Sequence, residues 1–563
     1  MADHGAGEVR TFDHPGRGRE RARTVPKGRQ IDADAAEAIA ALPGARPRRR
    51  DLLIEYLHLI QDRFGQISAA HLAALADDMR LSFAEAFEVA TFYAHFDVVK
   101  EGAADIPPLT IRVCDSLACR MAGAETLLAD LATRQGPALR VVRAPCMGLC
   151  DKAPAAAVGH AGVAPADAQS ALAAAARPAH DGAAETIGHD AYVARGGYRL
   201  LQDLRSGARG ADDALATIEA AGLRGLGGAG FPAGRKWRAV RSEPGPRLMA
   251  VNADEGEPGT FKDRHFLMRD PHRVLEGALI AAHVVGCDEI YIYLRDEYPE
   301  ARAILAREIA ALPPGLPPIH LRRGAGAYIC GEESAMLESL EGKRGLPRAK
   351  PPFPFQQGLF GRPTLINNVE TLFWTRDIVE KGADWWRAQG RNGGIGLRAY
   401  SVSGRVARPG VKIAPAGVTA RELIDEFCGG MAPGHRFAAY LPGGASGGIL
   451  PARMDNIPLD FGALEKHGCF VGSAAVVVLS DRDDIRAAAL NLMRFFEDES
   501  CGQCTPCRVG TQKARMLMEA AHWDAALLED LAQAMRDASI CGLGQAASNP
   551  LACVLRYFPE LIA

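Results

Sequence analysis

The sequence predicts a multidomain α/β protein. Its 563 residues exceed what a single hydrophobic core usually holds, which indicates roughly three to four domains. Strand-like and helix-like segments alternate between residues 190 and 388, a pattern typical of a sheet layered with helices. Hydrophobic residues make up 48% of the chain and charged residues 24%, so the composition is that of an ordinary globular protein.

The overall charge and hydropathy argue against two kinds of partner. A net charge of −3 gives no basic footprint for nucleic acid. No apolar run approaches the roughly 20 residues that a membrane span needs, and residues 1–30 lack the apolar segment of a secretory signal. We therefore expect a cytoplasmic protein that binds neither nucleic acid nor membrane.

The first third of the chain divides into three predicted segments. Residues 1–35 are rich in Gly, Arg and Pro and predict an extended arm, either disordered or lying as a basic strap on a partner subunit. Residues 36–104 predict a helical domain, in which the capping-box pattern from Ser82 to Glu85 opens a helix through Val89, Phe92 and Phe96. Residues 105–185 predict strands at 109–113 and 139–143, followed by an Ala-rich stretch with a linker near Gly188.

The remaining chain divides into three more segments. Residues 186–388 predict an α/β domain, with strands at 247–251 and 289–294 and helices at 273–285 and 300–312. Residues 389–482 carry many glycines and short strands at 397–402 and 474–479, which predict a small β-rich domain. Residues 483–563 have a helical pattern.

Cysteine usage is the most informative feature of the composition. In a chain without a secretory signal, the thirteen cysteines are not expected to form disulfides. Five are scattered and are interpreted as small buried residues. The other eight form two groups, namely Cys114, Cys119, Cys146 and Cys150, and then Cys501, Cys504, Cys507 and Cys541.

The second cysteine group predicts a [4Fe–4S] cluster. Three cysteines at two-residue spacing, Cys501, Cys504 and Cys507, allow one loop to hold three corners of a cubane, and Cys541 supplies the fourth thiolate. Zinc is the competing metal, although its closed sites more often use two separated pairs of ligands.

The first cysteine group predicts a [2Fe–2S] cluster. Each pair follows a strand-like segment, so that both pairs could extend from one end of a sheet. Two pairs supply two thiolates to each iron. The spacing alone leaves zinc open as an alternative.

A glycine-rich loop at 225–232 is a candidate binding element. Gly225, Gly227 and Gly230 satisfy G-x-G-x-x-G, but a helix-like segment rather than a strand precedes them, so the pattern does not indicate a Rossmann fingerprint. We interpret the loop as backbone that a phosphate or flat ring can approach closely, with Lys236 able to neutralise a phosphate. A plain surface turn is the alternative when the loop is considered alone.

Further polar segments lie near predicted strand ends or glycine turns. Residues 252–257 follow a strand, where α/β folds bind ligands. Residues 324–333 form a second glycine loop, residues 350–353 combine a cation with a stiff aromatic segment, and residues 367–368 add two amides.

Taken together, these segments resemble a known family. The stretches GLGGAGFPAGRKW, NADEGEPGTFKD, GAGAYICGEE, KPPFP, INNVET and ESCGQCTPCR…SICGLG are similar to the NADH-binding flavoprotein subunit of respiratory complex I. Residues 50–160, with ATFYAHF and the first four cysteines, resemble the thioredoxin-like [2Fe–2S] subunit of that complex. This fusion, together with the basic arm and the end soon after the last cluster, looks most like the β subunit of NAD-dependent formate dehydrogenases, whose α subunit holds a molybdenum or tungsten pterin.

The resemblance implies a more detailed fold. It implies an N-terminal helical part with a thioredoxin-like [2Fe–2S] domain, a Rossmann-like domain for FMN and NADH, a β-grasp (ubiquitin-like) domain and a C-terminal helical bundle with the [4Fe–4S] cluster. Two positions depart from the family: Leu226 stands where arginine is frequent, and Ala239 where complex I has an aromatic residue that would stack on adenine.

The resemblance also implies the cofactors FMN, NAD(H), [4Fe–4S] and [2Fe–2S]. The implied FMN contacts are Gly225, Gly227, Gly228, Lys236, Asn252, Asp254, Glu255, Gly331, Glu332, Asn367 and Asn368. The implied NAD(H) contacts are Phe231, Glu257, Glu333, Lys350 and Phe353, with Glu257 positioning the nicotinamide.

These cofactors predict hydride transfer between nicotinamide C4 and flavin N5, which needs alignment of the rings and no acid or base side chain. Electrons then pass singly between the flavin and the C-terminal cluster, which is expected to face the partner subunit. The alternatives are the diaphorase subunit of an NAD-reducing nickel–iron hydrogenase, a free-standing NADH dehydrogenase, and a zinc-binding scaffold without redox function.

Overall fold

The computed structural model describes residues 30–44, 48–175 and 185–562. Most of the predicted N-terminal arm and of the predicted linker therefore lies outside the described residues. The extended arm was predicted to reach residue 35, but a helix already begins at Ala33. The Asp32 side chain caps this helix by accepting a hydrogen bond from the amide of Ala35.

The N-terminal part is mainly helical. Its elements are α1 (Ala33–Ala40), α2 (Leu53–Phe64), β1 (Ile67–Ser68), α3 (Ala69–Asp78), α4 (Phe83–Phe92) and β2 (Val98–Val99). The predicted capping box of α4 is present, with Ser82 and Glu85 each accepting a hydrogen bond from the other's backbone amide. The predicted extension of α4 to Phe96 is wrong. Tyr93 leaves the helical conformation, and its hydroxyl donates to Ser339 Oγ (2.9 Å) in the α/β domain.

A thioredoxin-like unit follows. It contains β3 (Leu109–Cys114), α5 (Leu117–Met121), α6 (Ala124–Ala132), β4 (Leu139–Ala144), β5 (Ala156–Val158), β6 (Ala161–Val163) and α7 (Ala168–Ala175). The sheet order is β4-β3-β5-β6, with β3 and β4 parallel and β5 and β6 antiparallel to their neighbours. Cys114 lies opposite Ala144 in the register, so both predicted cysteine pairs follow strands at the same end of this sheet.

The central unit is a parallel sheet packed with helices. Its elements are α8 (His189–Ala194), α9 (Arg199–Ser206), α10 (Ala211–Ala221), α11 (Ala233–Ser242), β7 (Arg247–Ala253), α12 (Lys262–Arg269), α13 (Pro271–Val285), β8 (Cys287–Leu294), α14 (Pro299–Ala310), β9 (Ile319–Arg323), α15 (Glu333–Leu340), β10 (Thr364–Asn368), α16 (Val369–Lys381) and α17 (Ala383–Arg387). All neighbours in the order β10-β7-β8-β9 are parallel. The loops at the carboxyl ends of these strands therefore meet at one edge, where open α/β sheets bind ligands.

A small mixed sheet forms the next unit. It is built from β11 (Leu397–Gly404), β12 (Gly410–Pro415), α18 (Ala420–Glu422), β13 (Phe437–Leu441), β14 (Leu450–Pro451) and β15 (Ala475–Ser480). The order is β12-β11-β15-β13-β14. The strands that come first and last in the sequence, β11 and β15, are neighbours in the middle of the sheet and run parallel. This is the predicted β-grasp arrangement.

The C-terminal unit is helical, as predicted. It contains α19 (Ile485–Asp498), α20 (Thr505–Met518), α21 (Ala525–Ala538), α22 (Gly542–Ala546) and α23 (Asn549–Tyr557). Across the described part of the chain, none of the helices combines the length and the apolar character needed to cross a membrane.

Candidate functional site

The edge of the central sheet brings four predicted binding segments together. Asn252 at the end of β7 lies opposite Asn368 at the end of β10. The Asn252 Nδ2 group donates to the Gly331 carbonyl (2.9 Å), which ties the second glycine loop to this edge. A Cβ atom placed on Gly227 would lie 2.9 Å from Asn368 Cβ, so the first glycine loop packs directly on the same strand end. These segments form the candidate flavin edge.

Two buried polar atoms at the flavin edge lack an intramolecular partner. Among the described residues, Asp254 Oδ2 and Asn367 Nδ2 have no hydrogen-bond partner, although both atoms are buried. Burial raises the pKa of Asp254 to about 8, against the opposing charge of Arg295. Buried polar groups are normally satisfied, so an orphaned acceptor and donor fit a ligand with hydroxyl groups and a polar ring edge. The residues present thus fit FMN.

The first glycine loop has a conformation that only glycine adopts readily at two positions. Gly228 and Gly230 have φ angles of +130° and +65°, which side-chain-bearing residues rarely adopt. The Gly225 amide donates to the Phe231 carbonyl (2.8 Å) and closes the loop. Helices α10 and α11 flank the loop, which agrees with the prediction that it is not a Rossmann turn. Leu226, at the position of a frequent arginine, is buried in the core of the central unit.

Charged residues cluster beside this loop. Lys236 Nζ lies 3.5 Å from Glu333 Oε2 and 3.3 Å from the Ile366 carbonyl. Lys350 Nζ donates to Glu332 Oε1 and Glu333 Oε1 at 3.0 Å each. The role of Lys236 toward a phosphate remains a prediction, and Glu332 caps helix α15.

The two other predicted glutamates are engaged in contacts within the protein. Glu255 accepts hydrogen bonds from the amides of Asp263 (2.8 Å) and Arg264 (3.1 Å), so it caps α12, and burial raises its pKa to about 7. Glu257 accepts from the Ser446 amide and hydroxyl, both at 2.7 Å, and from the Tyr328 hydroxyl. Glu257 therefore connects the second glycine loop to the β-grasp unit. The cofactor roles of both residues remain predictions.

The predicted aromatic contacts are exposed. Phe231 is 48% exposed and Phe353 45% exposed. The Phe353 ring stacks on Phe355 with centroids 6.0 Å apart, and the Arg235 guanidinium lies 5.8 Å from the Phe231 ring centroid. Such open aromatic faces suit stacking on the rings of a dinucleotide.

The first cysteine group converges in a buried pocket at the end of β3 and β4. Cys146 Sγ lies 3.3 Å from Cys150 Sγ, and the Gly148 amide donates to Cys146 Sγ (3.4 Å). Hydrogen bonds to Cys119 and Cys146, together with burial, raise the pKa of Cys114 well above its usual value. All four thiols are thus within one site, and metal binding would displace their protons.

The second cysteine group also converges. Cys507 lies in the first turn of α20, and Cys541 directly precedes α22. Burial and the neighbouring Cys504, Cys541 and Cys501 raise the pKa of Cys507 to about 11. A Cβ atom on Gly544 would lie 2.9 Å from Cys507 Cβ, so the loop around Cys541 packs on this turn. Four thiols from two segments fit a cubane cluster.

The structure adds a buried lysine that the sequence did not single out. Lys262 Nζ donates to Asp263 Oδ1 (2.8 Å) and Asn368 Oδ1 (3.3 Å), and it pairs with Glu370 Oε2 at 3.1 Å. Burial opposes its charge, but the two carboxylates outweigh that effect and raise the pKa of Lys262. Lys262 thus fixes the side chain of Asn368. Its position in NADEGEPGTFKD gave no chemical signal, because its partners Asn368 and Glu370 are distant in sequence.

A buried arginine, also missed, joins the central and thioredoxin-like units. Arg295 donates through Nη2 to the Cys146 carbonyl (2.6 Å) and through Nη1 to the Glu255 carbonyl. It directly follows β8 at the carboxyl edge, which is the one sequence signal that could have identified it.

Three family models match the chain. Residues 36–176 match the thioredoxin-like [2Fe–2S] ferredoxin, residues 218–375 the Nuo51 FMN-binding domain, and residues 487–563 the NADH-ubiquinone oxidoreductase-F iron–sulfur binding region. These matches confirm the predicted FMN and both iron–sulfur clusters, and they contradict the alternative of a zinc-binding scaffold without redox function.

Individual relatives extend these matches. The chain is 42% identical over 386 residues to an NADH-quinone oxidoreductase F-type subunit of Rhizobium meliloti, covering 65% of this chain and 91% of that protein. It is 39% identical over 401 residues to the mitochondrial NADH dehydrogenase [ubiquinone] flavoprotein 1 of Dictyostelium discoideum, covering 66% of this chain and 83% of that protein. A chain of an NAD⁺-reducing [NiFe]-hydrogenase in the H₂-reduced state superposes with a TM-score of 0.78 at 35% identity, covering 92% of each chain.

The flavin edge, the two thiol sites and these matches lead to one conclusion. The chain is part of an NAD(H)-dependent oxidoreductase and belongs to the family of NADH dehydrogenase flavoproteins, with a thioredoxin-like [2Fe–2S] domain fused to its N-terminal side.

Proposed function

We propose that the chain exchanges electrons between NAD(H), bound at the flavin edge, and a separate catalytic subunit that oxidises formate at a molybdenum or tungsten pterin. The observation that carries the electron-transfer part is the second glycine loop. Asn252 donates to the Gly331 carbonyl of this loop, and three residues earlier the Tyr328 amide donates to Glu499 Oε2 (2.9 Å), two residues before Cys501. One short segment thereby contacts both the flavin edge and the [4Fe–4S] loop.

The residues of this chain supply binding and alignment. FMN, when bound, exchanges two electrons as a hydride with a nicotinamide and exchanges single electrons with clusters. Lys236 neutralises the phosphate of FMN. The unpartnered atoms Asp254 Oδ2 and Asn367 Nδ2 form hydrogen bonds with the ligand. The rings of Phe231 and Phe353 stack on NAD(H). The ion pair between Glu333 and Lys350 lies beside them and provides charged groups that contact the dinucleotide. No acid or base side chain is required, because alignment of the two rings is sufficient for hydride transfer.

The thioredoxin-like unit is proposed as a second electron site coupled to the flavin edge. Arg295 holds the backbone on both sides, at Cys146 and at Glu255. Since Glu255 follows Asp254 directly, the Arg295 guanidinium group links the [2Fe–2S] loop to the flavin edge.

A nickel–iron hydrogenase is the second candidate for the catalytic subunit. The similarity to a chain of an NAD⁺-reducing [NiFe]-hydrogenase over 92% of both chains favours it. The formate assignment is supported by the resemblance of the fused chain to formate dehydrogenase β subunits. Both candidates predict the same chemistry in this chain and differ only in the subunit that docks on it.

Co-purification from the native host separates the two candidates. The tagged chain is expected to bring down a pterin-containing subunit, and the complex is expected to reduce NAD⁺ with formate and not with hydrogen. A nickel-containing subunit with hydrogen-dependent NAD⁺ reduction would replace the formate assignment and leave the flavin proposal intact. Purified chain that binds FMN but is not bleached by NADH would contradict the flavin proposal itself.

The cytoplasmic location remains a proposal as well. Among the described residues, none of the thirteen cysteines forms a disulfide, which agrees with the reducing compartment expected from the sequence. Fractionation of the native host, with a cytoplasmic and a periplasmic marker, would test the location.

A further inference from the structure

A second group of metal-type ligands lies apart from both cysteine sites. His58 in α2, His95 after α4 and Asp296 after β8 each place one ligand atom within 4.8 Å of the others. The two imidazole rings lie with their centroids 4.8 Å apart. These three residues, here called the His–His–Asp group, join the N-terminal helical part to the central unit.

The hydrogen bonds around the two histidines fix their tautomers. His58 Nε2 lies 2.8 Å from the Gly324 carbonyl, which can only accept, so this nitrogen carries the proton. His95 Nδ1 lies 2.8 Å from the Asp296 carboxylate and likewise donates to it. An imidazole whose one nitrogen donates to a carbonyl or carboxylate presents the lone pair of its other nitrogen, which is the usual state of a metal-binding histidine.

Both remaining nitrogens are buried without a partner. Within the described residues, His58 Nδ1 and His95 Nε2 have no hydrogen-bond partner. His58 is only 2% exposed, so its unpartnered nitrogen is shielded from solvent. Two buried ring nitrogens without a partner in one group are costly unless a ligand satisfies them.

From this geometry we propose that the His–His–Asp group binds one divalent transition metal of the zinc class. His58 Nδ1 and His95 Nε2 donate to the metal. Asp296 accepts from His95 Nδ1, so it orients that ring and supplies negative charge without coordinating the metal, and water oxygens complete the shell. Imidazole suits zinc, nickel and copper, whereas calcium and magnesium prefer all-oxygen sites. The site thus differs chemically from both cysteine groups.

The charges near the site limit its affinity. Asp296 also pairs with Arg323 and lies 3.7 Å from Arg302 Nη1. Asp62 balances part of this positive charge, since its Oδ2 lies 2.6 Å from Arg323 Nη1. We therefore expect metal binding that competes with these arginines and is weaker than in an all-thiolate site.

A small cleft borders the backbone of His95. Its lining includes Gly326, the acidic residues Asp254, Glu297 and Glu499, and the cation Arg295. A Cβ atom on Gly326 would lie 3.5 Å from the His95 amide nitrogen, so the cleft approaches the His–His–Asp group through this glycine.

The test uses full-length protein with FMN and both clusters in place, incubated with zinc and then desalted. Zinc content is measured by elemental analysis, and the first coordination shell by X-ray absorption at the zinc edge. We expect about one zinc per chain with nitrogen and oxygen ligands at about 2.0–2.1 Å. A shell of sulfur at about 2.3 Å, or no retained zinc, would overturn the proposal.

Matched variants locate the metal. His58→Gln and His95→Gln are expected to lose the retained zinc while keeping the FMN and cluster contents of the wild type. His160→Gln is the control, because His160 also contacts this ion-pair network through Asp62 (3.0 Å) but lies outside the group. Equal zinc retention in all variants would refute the proposal. If His58→Gln fails to fold, the ligand shell seen by X-ray absorption in the wild type, nitrogen and oxygen or sulfur, supports or overturns the proposal. The flavin proposal is independent, since NADH bleaching is measured before zinc is added.

Discussion

Individual side chains at the flavin edge are held by buried ionic contacts. Lys262 is almost fully buried between Asp263, Glu370 and the amide of Asn368. Removing one partner of a buried ionic group leaves the others uncompensated, which costs far more than the loss of a surface pair. The orientation of Asn368 therefore depends on a lysine that need not touch a ligand itself.

Lys262→Met is expected to destabilise the protein by about 3–5 kcal/mol, because Asp263 and Glu370 remain as buried unpaired carboxylates. The thermal midpoint of FMN release measures the effect. Lys381→Met is the control, since Lys381 is half exposed and pairs with Asp377 at 3.5 Å, and it should change stability by at most about 1 kcal/mol. Equal midpoints for the two variants would contradict the role given to Lys262.

Asp254 predicts a pH dependence. Its folded pKa of about 8 exceeds the unfolded value near 3.8, so the folded state holds a proton that the unfolded state releases. Stability of the FMN-free protein should therefore fall as pH rises through this window. Asp254→Asn cannot ionise, so its stability relative to wild type should increase between about pH 5 and pH 8, following the linkage relation. Urea unfolding at both pH values measures the difference, and a constant difference would show that Asp254 ionises normally.

At the scale of elements, the binding site depends on how closely loops approach strand ends. The first glycine loop packs against the end of β10 at Gly227, whereas Gly225 has more space, since a Cβ atom there would lie 3.6 Å from the Phe231 carbonyl. Neither glycine has a positive φ angle, so a substitution changes local packing without backbone strain.

Gly227→Ala is expected to weaken FMN binding about tenfold or more, because overpacking by one methyl group costs about 1–3 kcal/mol and displaces the loop from Asn368. Gly225→Ala is the matched control and should weaken binding less than about threefold. Flavin fluorescence titration of the FMN-free protein gives both dissociation constants. If both variants bind FMN equally, contact with β10 does not set the loop position.

At the scale of the whole molecule, Arg295 is a contact between units that are far apart in sequence. Its guanidinium group is buried, donates to the Cys146 backbone and pairs with Glu297 at 3.0 Å. A buried cation beside an iron–sulfur site stabilises the reduced, more negative cluster. The arginine therefore serves both docking and the electronic properties of the [2Fe–2S] site.

Arg295→Met is expected to shift the [2Fe–2S] reduction potential to more negative values by on the order of 50 mV, which is roughly tenfold in a one-electron equilibrium. The potential falls because the variant loses a positive charge near the cluster and leaves the negative charge of Glu297 unpaired, and both changes disfavour the reduced cluster. Redox titration followed by electron paramagnetic resonance measures the potential. Arg307→Met is the control, because Arg307 is exposed and pairs with Glu308 away from the cluster. An unchanged or more positive potential in Arg295→Met would contradict this role.

The sequence by itself determined the chemistry and most elements of this protein. Cysteine spacing predicted two metal sites and favoured iron–sulfur clusters over zinc, because ligands near in sequence reflect local geometry. The strands at 247–251 and 289–294 and the cap at Ser82 were identified because hydrophobic periodicity and capping are local properties. The family resemblance supplied the β-grasp unit and the cofactors.

Only the tertiary structure decided how these parts combine. It ended helix α4 at Phe92 and directed Glu255 to cap α12. It placed Lys262 and Arg295 against partners that the sequence did not identify. It also brought together His58, His95 and Asp296, which lie up to 238 residues apart in sequence (296 − 58). The physical reason is that burial and hydrogen bonding between distant segments depend on where the chain folds back, and local propensity carries no record of those partners.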